Sequence, residues 1–132
     1  MVQLDVETHA HRTMVDITSK VQQVVAGSGV QEGLCVLFVP HTTAGLSLNE
    51  NWDPDVRSDL LSAWATMVPG IRWQHSEGNS PAHLLSTLVG VSATLLVSKG
   101  RLVLGSWQGV FLAEFDGPRQ RRVLVRIVAD PS

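Results

Sequence analysis

Trp107-Gln108-Gly109-Val110-Phe111-Leu112-Ala113-Glu114-Phe115, followed beyond one turn by Val123-Leu124-Val125-Arg126-Ile127-Val128-Ala129, decides the fold. A strand has a side-chain period of two, so Trp107, Gly109, Phe111, Ala113 and Phe115 point one way and Val110 and Leu112 the other. Val123, Val125 and Ile127 share a face, and Leu124 and Val128 share the opposite one. A sheet with one face in water alternates apolar with polar residues. Neither stretch does, so both faces of the sheet are expected to be covered. Two or three helices cannot cover everything, and a second sheet or neighbouring subunits must supply the rest.

Working outward, Ala93 to Ser98 and Arg101 to Leu104 flank Lys99-Gly100 as a hairpin, and Gly117-Pro118 turns the chain. Gly33 to Pro40 is apolar throughout and reads as a central strand buried on both faces. Val2, Leu4 and Val6 alternate with polar residues as a half-buried strand, and Arg12 to Val15 reads as a short one. Asp16 or Thr18 caps a helix carrying Val21, Val24 and Val25, with Gly27 or Gly29 as its stop. Asp53-Pro54 opens a helix through Val56, Leu60, Trp64 and Met67. Ser80-Pro81 opens another, with Leu84, Leu85 and Leu88 expected to be its buried face and Gly90 its stop.

Composition adds a constraint. Asp, Glu, Lys and Arg make up 17% of 132 residues, against about 25% in an ordinary soluble domain. A single small domain spanning 1–132 should need more charge than average, so some of its apolar surface is expected to face another subunit. A formal net charge of −2 argues against a nucleic-acid partner. One cysteine, Cys35, excludes an intrachain disulfide and a CxxC metal knuckle. It stands in a buried strand and reads as structural. No apolar run approaches a membrane helix, and Met1 to Glu7 has neither a basic nor an apolar leader region. A cytoplasmic protein is the expectation.

The polar residues gather at element junctions, where a rigid scaffold presents binding groups. His41-Thr42-Thr43 follows a buried strand, Asn49-Glu50-Asn51 and Asp53 lead into one helix, and His75, Glu77, Asn79 and His83 bracket the start of the next. Two helix N-termini nearby offer free N–H groups to a phosphate. Three imidazoles can hold a zinc-like ion with an open position, or one can serve as acid or base near neutral pH. Their separations match no compact ligand motif, so solvated loop histidines are the competing reading. Asp53 and Asn79 have plain capping roles available. Arg119, Arg121 and Arg122 form a short basic cluster that reads as a solvated turn or a phosphate contact. P-loop, dinucleotide-fold, zincin and nucleophile-elbow motifs are absent.

Three blocks together resemble the YjbQ family. Pro40-His41-Thr42-Thr43-Ala44-Gly45-Leu46 with Asn49-Glu50-Asn51 and Asp53-Pro54-Asp55-Val56 is similar to its first hallmark. His75-Ser76-Glu77-Gly78-Asn79-Ser80 with Ala82-His83 is similar to its second. Gly100-Arg101-Leu102, Leu104-Gly105, Trp107-Gln108-Gly109 and Glu114-Phe115-Asp116-Gly117-Pro118-Arg119 are similar to its third. The resemblance implies an α+β fold, a two-sheet β-sandwich with two to three helices, packing as a homotrimer. It also implies secondary thiamine-phosphate synthase activity, joining a hydroxymethylpyrimidine diphosphate to a thiazole phosphate with release of pyrophosphate. On that reading His41, His75, His83 and Glu77 are catalytic, and the three histidines hold a divalent metal ion, zinc or magnesium-like. Thr42, Thr43, Asn49, Asn51, Asp53, Asn79, Trp107, Gln108 and Arg119 would bind the small phosphorylated substrate. The alternatives are a non-catalytic trimer that binds a metal or phosphometabolite, and a metal-dependent phosphate-ester hydrolase. Trp52 and Pro81 depart from the family pattern, where a small residue and an Asp are usual. Ser106 for Thr and Trp73 for Tyr are milder changes.

Overall fold

The computed structural model describes residues 1–132. The elements in order are β1 (Val2–Glu7), β2 (Thr13–Asp16), α1 (Thr18–Ser28), β3 (Gly33–Phe38), β4 (Ala44–Glu50), α2 (Pro54–Met67), α3 (Ser80–Val89), β5 (Ser92–Ser98), β6 (Arg101–Leu102), β7 (Gln108–Glu114) and β8 (Gln120–Ala129). They form two antiparallel sheets, of order β1-β8-β3-β5-β6 and β2-β7-β4. No helix is long and apolar enough to cross a membrane.

The period-two reading of β7 explains the layers. Val110 and Leu112 face the larger sheet and join Leu46, Cys35, Leu37, Val123 and Val125 in the main core. Ala113 on the opposite face, with Phe115 just beyond the strand, packs under α3 and Trp64 of α2. Both faces of the small sheet are thus covered, as its apolar pattern requires. Burying the Cys35 thiol pushes its pKa up to about 11, so it stays protonated and inert.

The helix starts follow the local chemistry. Asp16 Oδ1 accepts the Thr18 N–H at 2.9 Å, and Gly29 in the left-handed region ends α1. Val21 and Val25 then join the main core. Asp53 accepts the Asp55 N–H at 2.9 Å and Pro54 takes the first position of α2.

The structure corrects two sequence expectations, the burial of β3 on both faces and the buried face of α3. β3 is buried on one face only: Cys35 and Leu37 are interior, but Phe38 on the other face is 44% exposed. No element of the same chain covers the outer face of the larger sheet, and Leu96 and Val128 are exposed there too. In α3, Ala82, Leu85 and Ser86 are buried and Leu88 is exposed. Close packing selects the small residues, because Ser86 Oγ donates to the Ala44 carbonyl at 2.7 Å. α2 buries no residue fully; it rests on the Trp64–Phe115 edge contact at 5.5 Å and on Arg57 over the Phe111 ring.

The lone chain exposes 7596 Å², more than the ~6,800 Å² that a monomer of this mass would show. The open outer face contributes to that excess.

Gly45 sets how closely α3 approaches β4. A Cβ there would lie 2.6 Å from the Gly90 carbonyl oxygen and 3.2 Å from Val89 Cγ1. Gly45→Ala is expected to cost about 1–3 kcal/mol through overpacking, read as a lower denaturant midpoint at unchanged slope.

Candidate functional site

β3, α3 and the turn before β8 meet at one end of the small sheet. There Pro40, His41, Thr42, Thr43, Glu77, Asn79, His83, Arg119 and Arg121 line a cleft of about 360 Å³ with no hydrophobic lining residue. His75 joins it by packing edge to face on His83, ring centroids 5.5 Å apart. His75 Nε2 lies 3.8 Å from Glu77 Oε2. The N-terminus of α3 opens at this point. Its flanking Asn79 does not cap the helix but donates to Asp116 Oδ2 at 3.0 Å, leaving Asn79 Oδ1 buried and without a donor. Arg119 is tied to the same Asp116 carboxylate at 3.0 Å and stays half-exposed.

Beneath the cleft lies a buried ion pair. Glu114 is 0% and Arg121 2% exposed, and they form a two-pronged ion pair. Arg121 also donates to Thr43 Oγ1 at 2.8 Å and to the Thr43 carbonyl at 3.1 Å. Burial would push the Glu114 carboxyl up, but donors from Arg121, Thr8 and the Asp116 N–H outweigh it and hold the pKa below its ordinary value. The sequence expectation for Arg121, a solvated turn or a phosphate contact, is corrected to a buried ion pair, and Glu114 carried no role of its own there. A signal was there: Glu114 continues the inward face of Val110 and Leu112, and Arg121 that of Val123 and Val125. A charge of each sign on facing apolar rows calls for a partner.

His41 is held in one protonation state. Its Nε2 accepts the Arg122 backbone N–H at 2.9 Å, which puts its single ring proton on Nδ1. Burial and the nearby Arg121 and Arg122 charges push its pKa below 6.5. The neutral ring can offer Nδ1–H as a donor but has no free nitrogen lone pair for a metal. No group of three His, Cys, Asp or Glu side chains stands within reach of a common ion. The expected three-histidine centre is therefore not assembled within one chain.

The remaining sequence-predicted residues stand elsewhere. Asn49, Glu50, Trp107 and Gln108 line a second cleft of about 350 Å³. Asn51 joins them, its N–H donating to the Trp107 carbonyl at 2.9 Å and its side chain to Asp16 Oδ2 at 3.2 Å. Gly109 is needed there, because a Cβ would meet the Asn51 side chain at 2.5 Å. In the β4–β7 ladder Asn49 pairs with Gly109 and Ala44 with Glu114. The two clefts thus lie at opposite ends of that ladder, ~20 Å apart at the usual rise of a strand. Asn49, Asn51, Asp53, Trp107 and Gln108 are not brought to the histidines within one chain. A cavity of about 700 Å³ lined by β1, α1 and β8 holds none of the sequence-predicted site residues.

Comparison with known proteins identifies the family. Residues 2–130 match the family model described as UPF0047 protein YjbQ-like. The chain belongs to the YjbQ-like UPF0047 family. A UPF0047 protein of Methanocaldococcus jannaschii is 44% identical over 126 residues, covering 95% of this chain and 91% of that one. UPF0047 protein YugU of Bacillus subtilis is 40% identical, covering 95% and 96%. The crystal structure of a family member from Clostridium acetobutylicum, 43% identical, superposes with a TM-score of 0.94 over 97% of this chain and 100% of that one. The two-sheet architecture with three helices is thus the architecture of YjbQ-like proteins.

Proposed function

We propose that the polar cleft at the start of α3 binds a small phosphorylated metabolite and performs a thiamine-phosphate synthase-type transfer. One observation carries the reading: His41, His83, Arg119 and the open N-terminus of α3 converge on a cleft without apolar lining. Such a cleft suits a diphosphate, which needs positive charge and N–H donors. In the proposed reaction the thiazole nitrogen forms a C–N bond to the pyrimidine methylene as its C–O bond breaks. The electron pair departs on pyrophosphate. Stabilising that charge is the main demand, and Arg119, the helix terminus and the His41 Nδ1–H can meet it. His83, with His75 and Glu77 beside it, is the candidate acid that would protonate an oxygen of the departing pyrophosphate.

A divalent cation enters this reading as a companion of the diphosphate oxygens, since His41 does not fit as a ligand. The protein is further proposed to be a cytoplasmic homotrimer, with the open outer face of the larger sheet buried between subunits. A non-catalytic reading has its own support: the most deeply placed charges, Glu114 and Arg121, are already satisfied by each other.

Calorimetry with inorganic pyrophosphate tests the binding half. Wild type is expected to bind, and Arg119→Ala to bind at least about 10-fold more weakly, as for loss of a charged hydrogen bond. Equal binding by both would remove the anion site from this cleft.

A further inference from the structure

We infer that the working site is shared between two copies of the chain, the Asn49–Trp107 end of one completing the histidine cleft of the next. This rests on the proposed binding of a phosphorylated ligand at that cleft and adds where its second half comes from.

The two ends are unlike and complementary. At one end Trp52 and Trp107 are 75% and 56% exposed and pack edge to face, centroids 5.8 Å apart. Aromatic rings so exposed beside fixed amides are suited to a planar ligand or a partner surface. Glu50 shares the cleft with Trp107, Asp16 holds the Asn51 side chain, and Asp53 and Asp55 open α2 just after Trp52; none of the four is in an ion pair. At the other end Arg122 is exposed on the outer face of the larger sheet, and Arg126 is exposed on the same face farther along β8, both without ion pairs. Leu96, Phe38 and Val128 share that face. It runs directly into the cleft, because the Arg122 N–H is the group that holds His41. A copy that covers the apolar face must therefore border the cleft, and its acidic, Trp-bearing end matches the exposed arginines in charge. Joining unlike ends is a head-to-tail contact, which gives a ring where the rotation between copies closes and a filament where it does not. A ring of three would form three such sites. The incoming indoles would stack the ligand's ring while His41, His83 and Arg119 hold its phosphates.

Cross-linking tests this without relying on catalysis. Cys35 is buried and unreactive, so Ser76→Cys beside the histidines and Ser106→Cys beside Trp107 give a clean pair of probes. A bismaleimide much shorter than the intrachain span should link the double variant into covalent dimers and trimers, and neither single variant. Absence of that ladder, or a chain that sediments as a monomer, overturns the inference. Co-expression supplies the second arm. His83→Ala and Trp107→Ala chains, each inactive alone, should regain about a quarter of wild-type turnover when mixed equally, the share of junctions with both halves intact. Folded mixed oligomers without recovery also overturn it. A ladder from a wild-type protein that binds no pyrophosphate would instead leave the shared interface standing and sink the proposed function.

Discussion

Glu114→Ala is expected to lower stability by about 3–5 kcal/mol, because it leaves Arg121 charged and unpaired in the core. That is a large share of the stability of any small domain. The loss is not the worth of the ion pair. A double replacement, Glu114→Leu with Arg121→Met, should recover most of it, since apolar residues of similar size need no partner. Glu114→Gln keeps the shape and should cost less than Ala. Urea denaturation of the four proteins measures the order. The pair also sets an acid limit. Glu114 has a folded pKa depressed below 4.5, so its contribution is present in full above that value. It is lost as pH falls through the depressed one. Wild type should lose stability over that range more steeply than Glu114→Gln. Equal slopes would mean that the carboxylate is not held by its donors.

His83→Ala is expected to reduce turnover ~10²–10⁴-fold, the usual contribution of a positioned acid or base. His75→Ala should act in the same direction through the ring it packs on. His41 works differently. Protonation would make its Nε2 a donor facing the Arg122 N–H donor, so acid breaks the contact that orients it. Its pKa lies below 6.5; activity should therefore hold down to that pH and fall below it. A pH profile of kcat/KM for wild type and His41→Gln checks this. An acid limb above pH 6.5 in the wild type would assign the titration to another group.

Most of the architecture is legible in the chain because its strands carry unbroken face patterns. The rows of β7 and the Asp53-Pro54 and Ser80-Pro81 starts foretell where the layers and helices lie. The buried face of α3 is not legible, since Leu84 and Leu88 outweigh Ala82 and Ser86 in hydrophobicity. Close approach at Gly45 rewards small side chains, and only the packed structure reveals that. The candidate site was legible as residue types but not as one place. His41, Glu77, Asn79, His83 and Arg119 come together across 78 positions of sequence, whereas Asn49, Asn51, Trp107 and Gln108 go to the far end of the same ladder. Strand length decides this separation, and a motif carries no such measure.

Pyrophosphate release from a mixture of hydroxymethylpyrimidine diphosphate and thiazole phosphate, with and without divalent metal, addresses the functional claim most directly. Release should require both substrates and fall with His83→Ala. Release no faster than in protein-free buffer, from a protein that binds pyrophosphate tightly, would contradict catalysis and leave a binding protein.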